Sequence, residues 1–370
     1  MRIGFDATPA AVQRAGVGRY ARELLRALLT LGSGDSYAFM IAATRDRVNA
    51  LAEELPPGDQ RTFARVPLSD RVVTAGWHRL RLPIPVESLI GSCDVFHGPD
   101  FVLPPTRGPR IVTIHDLSFH LVPEYGDERL VEFLSQAVPR ALRAADCIIA
   151  VSATVAAEIA DVYPFARDRI IAIPNGVRLP ELPAAPNNPP DRPRVLFLGT
   201  VEPRKGIETL IDAVAIARES HPDLELVVAG RIGWRSDAIV GKLREASAKG
   251  FVRHLHAPSD LELRECFATS SLFVFPSRYE GFGLPLLEAM AHGLPVIASD
   301  IPVLRETGGD AAAYVPVDDA QALANEICEL LDDGARRAVL KERGLIRVTA
   351  YSWDATAART RRAYALAARN

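Results

Sequence analysis

Two carboxylates stand eight residues apart in the stretch Arg278-Tyr-Glu-Gly-Phe-Gly-Leu-Pro-Leu-Leu-Glu-Ala-Met-Ala-His-Gly-Leu-Pro-Val-Ile-Ala-Ser-Asp300, at Glu280 and Glu288. The run Leu272-Phe-Val-Phe-Pro-Ser277 before them reads as a strand, and Leu284 onward reads as an apolar helix. Gly281 and Gly283 therefore lie at a helix N-terminus, where free N–H groups and the positive dipole end favour an anion. Glycine there lets a ligand approach the backbone closely. Glu280 lies before the helix and Glu288 one turn inside it, so both can flank one ligand without touching each other. A sugar nucleotide fits, with carboxylates accepting from vicinal hydroxyls and amides holding phosphate. A capped core helix carrying two solvated glutamates fits these residues equally well.

A second cluster is Thr200-Val-Glu-Pro-Arg-Lys-Gly206, where Arg204 and Lys205 place two cations just before a helix. Cations so placed suit a diphosphate. A basic surface turn is the plainer alternative. His115 ends an apolar strand in Ile114-His-Asp-Leu-Ser118, and His97 ends Asp94-Val-Phe-His97 as a weaker candidate. Lone histidines are more often packed structural residues than catalysts. His254, His256 and Asp260 suggest a metal cluster, but no further ligand follows at suitable spacing, so no metal is expected.

These residues need elements to hold them. Short apolar runs alternate with amphipathic segments along the chain. Strands are expected at Arg2 to Phe5, Ser36 to Ala43, Asp94 to His97, Arg110 to His115 and Cys147 to Ser152, with helices at Tyr20 to Leu31 and Leu130 to Ala144. The stretch 179–193 holds six prolines in fifteen residues and reads as a stiff linker. The pattern then restarts with strands at Val195 to Gly199, Leu224 to Ala229, Leu272 to Phe275 and Pro295 to Ser299. The fold class is α/β, with two doubly wound Rossmann-like domains facing a central cleft. The expected boundaries are 1–178, the linker 179–193, 194–350, and a terminal segment 351–370.

Bulk properties agree. At 370 residues, 48% hydrophobic and 24% charged, the chain can bury sizeable cores. A net charge of −3 argues against nucleic acid as a partner. The scattered Cys93, Cys147, Cys266 and Cys328 suit reduced cytosolic thiols. MRIGFDATPA opens as a strand with no signal-peptide pattern, and no apolar run is long enough to span a bilayer. A cytoplasmic protein is expected, and peripheral contact with the membrane's inner face stays compatible. Trp77-His-Arg-Leu-Arg-Leu82 is either a membrane-facing basic and aromatic patch or a surface helix turn.

Taken together, Glu280-x7-Glu288, the Glu-Pro-Arg-Lys-Gly turn and Asn175-Gly-Val177 resemble the GT-B glycosyltransferases of family 4, over essentially the whole chain. The resemblance implies a retaining, nucleotide-sugar-dependent hexosyltransferase that needs no metal or other cofactor. It implies that Arg204 and Lys205 hold the donor diphosphate, Glu288 the ribose and Glu280 the transferred hexose, beside the amides of Phe282, Gly283 and Leu284. It also assigns the Gly16-Val-Gly18 loop to the diphosphate and acceptor, and His115 to the region of the sugar's C6 hydroxyl and anomeric carbon. The last helix is similar to the family's terminal helix that crosses back onto the first domain. Val228-Ala-Gly-Arg-Ile-Gly-Trp234, with Gly230 among the donor-binding residues, and His115-Asp-Leu-Ser-Phe119 look closest to the mannosyltransferase branch. That branch implies GDP-mannose as donor and a saccharide or lipid-linked saccharide of surface polysaccharide or glycolipid as acceptor; UDP- and dTDP-sugars are the alternatives. One departure touches the loop that frames the base: the family's strand usually ends Leu-Gly, and here it ends His256-Ala257.

Competing readings fare less well. Gly16-Val-Gly18-Arg-Tyr-Ala21 matches the dinucleotide fingerprint of NAD-dependent dehydrogenases. However, roughly ten residues separate it from its strand, and no acidic residue ends the next one. A non-catalytic nucleotide-sugar binder would be expected to lose Lys205 or a glutamate, and all three are kept. A phosphorylase or sugar-nucleotide epimerase on the same scaffold is the third alternative, and the chain scarcely accommodates a phosphorylase's insertions.

Overall fold

The computed structural model describes residues 1–13, 16–180 and 192–369. Most of the proline-rich linker, residues 181–191, and the final Asn370 lie outside them. The chain divides into two compact units. The first gathers Met1–Leu117, Val131–Gly176 and Trp353–Asn370, and the second gathers Ser118–Leu130 and Val177–Ser352. Ser118–Leu130 thus groups with the second unit although it lies within the sequence of the first half.

Among the described residues, the first unit's sheet has seven strands: β1 (Arg2–Asp6), β2 (Ser36–Ala42), β3 (Arg61–Val66), β4 (Val95–Gly98), β5 (Arg110–Ile114), β6 (Cys147–Ala150) and β7 (Ile170–Ala172). All pair in parallel, in the order β3-β2-β1-β4-β5-β6-β7. The inner strands β4, β5 and β6 are almost wholly buried, as expected where helices cover both faces of a parallel sheet. The helix Val17–Thr30 turns Tyr20, Leu24, Leu25 and Leu28 into the core at helical spacing. The last helix, Trp353–Ala367, adds Ala357, Ala363, Tyr364 and Ala367 to that core. The glycine of Asn175-Gly-Val177 has a local reason as well. A Cβ on Gly176 would meet the backbone nitrogen of Trp353 at 2.3 Å, so only glycine lets this helix start there.

The second unit's described residues form a six-stranded parallel sheet: β8 (Arg194–Leu198), β9 (Glu225–Ala229), β10 (Val252–Leu255), β11 (Leu272–Phe275), β12 (Val296–Ser299) and β13 (Ala312–Val315). Its order is β10-β9-β8-β11-β12-β13. In each sheet the chain runs outward one way from a central strand and then returns to build on its other side. The order therefore reverses at β1/β4 in one unit and at β8/β11 in the other. Open α/β sheets bind ligands outside the carboxyl ends of their strands at such a point.

The described parts of both units carry the doubly wound pattern expected from the sequence. Strands β3, β7 and β13 were not anticipated. The stretch around Trp77 forms a single π-helical turn, Ala75–Arg79. The four cysteines are free. No helix among the described residues is long and apolar enough to cross a membrane.

Candidate active site

Adjacent strands β8 and β11, paired at Leu272 and Val195, release two loops side by side at the second sheet's switch point. The loop after β8 closes with the 3₁₀ turn Pro203–Lys205, ended by Gly206 in the left-handed region at φ 64°. The loop after β11 runs to Gly283, which caps the helix Leu284–Ala291 at φ 96°, a value that favours glycine. Each loop carries half of an ionic cluster.

Lys205 Nζ donates to Glu280 Oε1 at 2.5 Å, and Arg204 Nη1 lies 3.6 Å from Glu280 Oε2. Arg204 also donates to Glu202 Oε1 at 3.0 and 3.2 Å, and to the Tyr279 carbonyl at 3.1 Å. The Lys205 ammonium stands over the Phe275 ring, 5.4 Å from its centre. Lys205 and Glu280 are 8% and 7% exposed, and Glu202 is buried too. Neither the basic surface turn nor the solvated glutamate survives these positions. Burial alone would raise the Glu280 carboxyl, but the charges of Lys205 and Arg204 and the Lys205 hydrogen bond outweigh it and hold it below the usual carboxylate range. Two cations and two carboxylates make the cluster formally neutral. Such a buried arrangement contributes little to stability for its desolvation cost and is strongly felt when one partner is removed.

Glu288 is also buried, at 6% exposure, one turn inside the helix Leu284–Ala291. Phe282 is buried edge-on to Tyr351, and its carbonyl accepts from Thr307 Oγ1 at 2.6 Å. At the start of this helix Pro285 has no N–H to leave unpaired, and the Leu286 N–H donates to the Gly283 carbonyl at 3.1 Å. Gly230 follows β9 so closely packed that a Cβ would lie 1.8 Å from the Gly199 carbonyl oxygen. Arg204, Lys205 and Glu280 are thus brought into direct contact. Phe282, Gly283, Leu284 and Glu288 follow on the same loop and helix.

The remaining expected residues belong to the first unit: Gly16 and Gly18 on the connection after β1, at its switch point, and His115 directly after the next strand, β5. Gly16 caps the helix Val17–Thr30 at φ 54°, and a Cβ on Gly18 would meet the Gln13 carbonyl oxygen at 2.1 Å. His115 hydrogen-bonds through Nε2 to the Pro99 carbonyl at 2.7 Å, with Tyr20 edge-on at 4.8 Å and Phe101 at 5.5 Å. Burial lowers its pKa, which favours the neutral ring: Nε2–H donates and Nδ1 is left as an acceptor. His97 is a buried structural residue, held by Tyr364 and Thr113. His254 bonds the Gly230 carbonyl at 3.0 Å, and the described residues contain no group of three or more His, Cys, Asp or Glu able to hold a metal ion.

Sequence reasoning gave no role to Asp6, the last residue of β1, and Asp100, just after β4, two half-buried carboxyls. Burial pushes them up to about 7 and about 6. Nor did it give one to Arg278, the first residue of the Glu280 stretch. A charged residue next to a glycine-rich loop was the available signal.

Comparison with known proteins agrees with this geometry. A family model described as Glycosyltransferase Family 4 matches residues 14–181, and one described as Glycosyl transferases group 1 matches residues 180–346. The chain is 29% identical to the O-antigen chain mannosyltransferase B of Escherichia coli, over 99% of this chain and 100% of that one. It is 34% identical to a phosphatidyl-myo-inositol mannosyltransferase of Mycolicibacterium smegmatis over about half of each chain, 52% and 51%. Its fold is shared with a sucrose-phosphate synthase from Thermosynechococcus elongatus, at TM-score 0.73 and 24% identity over 99% and 98% of the chains. WaaG, a glycosyltransferase involved in lipopolysaccharide biosynthesis, follows at TM-score 0.70 and 14% identity over 97% and 98%.

Two Rossmann-like units with a cationic, glycine-edged switch point define a GT-B glycosyltransferase. The chain belongs to the family 4 type of these hexosyltransferases, and mannosyltransferases are among its relatives.

Proposed function

We propose that the enzyme is a retaining mannosyltransferase that moves mannose from GDP-mannose to a saccharide or lipid-linked saccharide acceptor in surface polysaccharide or glycolipid synthesis. The observation that carries this reading is the buried contact of Lys205 and Arg204 with Glu280 at the β8/β11 switch point. The names of the relatives support the choice of mannose.

Breaking the bond between the sugar's C1 and the diphosphate builds positive charge on the sugar and negative charge on the leaving group. Fixed cations at the diphosphate are worth most in that transition state, because they need no reorganisation as charge develops. Arg204 and Lys205 fill that role, aided by the helix start at Gly283. Glu280 holds a hexose hydroxyl and Glu288 the ribose. The acceptor oxygen bonds to C1 on the face the diphosphate leaves, and the β-phosphate oxygen takes the acceptor's proton, so no side chain has to be the base. In the first unit taken by itself, neutral His115 leaves Nδ1 as an acceptor for a hydroxyl, and the Gly16 and Gly18 loop offers backbone amides. The two side-chain cations take the place of a metal at the diphosphate, so no metal is required.

The acceptor class favours work at the cytoplasmic face of a membrane. The stretch 68–84 supports this, with Leu80 71% exposed and Leu68, Val72, Leu82 and Ile84 also exposed among Arg71, Arg79 and Arg81. Such a mixture suits an anionic lipid surface.

Calorimetry with GDP, UDP, ADP and dTDP, without and with Mg²⁺, tests the donor. Selective, metal-independent GDP binding supports the proposal, and preference for UDP or dTDP replaces the donor. NMR of the transferred mannose tests retention, since an inverted anomer overturns the mechanism.

A further inference from the structure

We infer that Arg278 is a positioning residue for donor binding, holding the loop of Arg204 and Lys205 against the loop of Glu280. This rests on the reading of that cluster as the donor site. Arg278 lies two residues before Glu280, yet its side chain turns away from the cluster and reaches three other segments of the second unit. Its Nε donates to both carboxylate oxygens of Asp318 at 2.8 Å, and Nη2 lies 2.8 Å from Oδ1. Its Nη1 donates to the Pro203 carbonyl, directly before Arg204, and lies 3.8 Å from Glu208. The Tyr125 ring covers the guanidinium at 5.5 Å. The backbone N–H of Arg278 donates to the Arg204 carbonyl at 2.8 Å.

Each end of this arrangement is itself fixed. Asp318 follows β13 in the left-handed region at φ 60° and accepts from Thr209 Oγ1 at 3.1 Å, near the start of the helix Ile207–Ala217. Arg204 returns the tie by donating to the Tyr279 carbonyl. Two arginines therefore brace the two loops in opposite directions. Arg204 reaches from the β8 loop to the β11 loop, and Arg278 reaches from the β11 loop back. The planar fork of Arg278 satisfies a carboxylate and a carbonyl at once, which a lysine cannot reproduce. Without it the Pro203 carbonyl loses a charged donor, and the turn that aims Arg204 and Lys205 keeps only the Arg204 side chain, the Lys205–Glu280 contact and the Arg278 backbone N–H to tie it to the other loop. Small displacements of this kind cost rate and affinity far more than stability.

Calorimetric binding of GDP and GDP-mannose to the full chain, with melting temperatures, compares wild type with Arg278→Ala, Arg278→Lys, Asp318→Asn and Lys205→Ala. Arg305→Ala serves as control, since it breaks an exposed ion pair in the same unit, with Asp300. The expected result is binding weakened roughly tenfold or more in Arg278→Ala, with a smaller loss in Arg278→Lys and in Asp318→Asn. The Arg278→Ala/Asp318→Asn double variant should lose little beyond the single one, and millimolar ethylguanidinium should restore part of the loss. Wild-type binding in Arg278→Ala, beside a clear loss in Lys205→Ala, overturns the inference and leaves the site reading intact. No loss in Lys205→Ala removes the site reading and the inference with it. If Arg278→Ala does not fold, wild-type binding in both Arg278→Lys and Asp318→Asn overturns the inference.

Discussion

The hydroxyl of Tyr364, on the last helix, and Nδ1 of His97, in β4, share a 2.7 Å hydrogen bond across 267 residues of sequence. His97 Nε2 continues the chain to Thr113 Oγ1 at 2.8 Å, which in turn meets the Tyr20 hydroxyl at 3.1 Å. All four groups are buried, so each depends on the others for its polar partners. Tyr364→Phe should strand one ring nitrogen and cost about 1–3 kcal/mol in urea unfolding.

The same histidine makes stability depend on pH. Burial holds His97 down at about 3, against 6.5 for an ordinary imidazole. Between those values the unfolded chain binds a proton that the folded chain refuses. The contribution is therefore intact above about 6.5 and is lost as pH falls toward 3. Unfolding free energies at pH 7.5 and pH 5 should differ less in His97→Gln than in wild type; an equal difference would discount His97 as the source.

Asp6 acts in the opposite direction. Its carboxyl, raised to about 7 by burial, accepts from the Thr8 N–H at 2.9 Å. The folded chain keeps a proton that the unfolded chain releases near 3.8, so this contribution is present at low pH and is lost as pH rises through 7. Asp6→Asn keeps an acceptor for Thr8 and removes the charge. It should stabilise by about 1 kcal/mol at pH 8 and by much less at pH 5, as read from melting curves.

Glu280→Gln separates the two proposed jobs of the ionic cluster. It leaves the Lys205 ammonium without its charged partner, so GDP should bind as well as to wild type or more tightly. Mannose transfer should nevertheless fall by roughly 10²-fold, because the hexose loses its carboxylate. Lys205→Ala should lose both binding and transfer while staying folded. Wild-type turnover in either variant would remove the site assignment.

Ala257, two residues past β10, stands at φ 51°, a left-handed conformation costly for any residue with a Cβ. The sequence pattern expects glycine there. Ala257→Gly should therefore raise stability by about 0.5 kcal/mol, the relief being partly offset by glycine's freer unfolded chain. A lower melting temperature would mean that the methyl group packs well enough to outweigh the strain.

Much of this architecture was legible in the residues because a parallel sheet buried on both faces leaves continuous apolar runs, as at Cys147–Ala150 and Leu272–Phe275. The three strands that escaped notice are all sheet edges. β3 reads Arg-Thr-Phe-Ala-Arg-Val, β7 is three residues long, and β13 is flanked by small residues. An edge faces one neighbour and needs no such run. Type and spacing marked Glu280, Lys205 and Arg204 only as candidates, since solvated glutamates and a basic surface turn fitted the same residues; their roles came from the resemblance to family 4, and burial is what the structure adds. Arg278 was not marked, since its partners Pro203 and Asp318 are distant in sequence and only the sheet's switch point brings them together. The grouping of Ser118–Leu130 with the second unit leaves no mark in composition.

The first unit takes its last core residues from Trp353–Ala367, while the second is complete by Ser352. During synthesis the ribosome therefore delivers every described strand of the first sheet early and withholds Tyr364 until the second unit has been made. His97 and its neighbours wait for that partner while some 175 later residues emerge, going by the gap between Gly176 and Trp353. The order of translation and the order of folding are thus opposed: the domain begun first is finished last, and a nascent chain halted before Trp353 would present an open first core to the cell's chaperones.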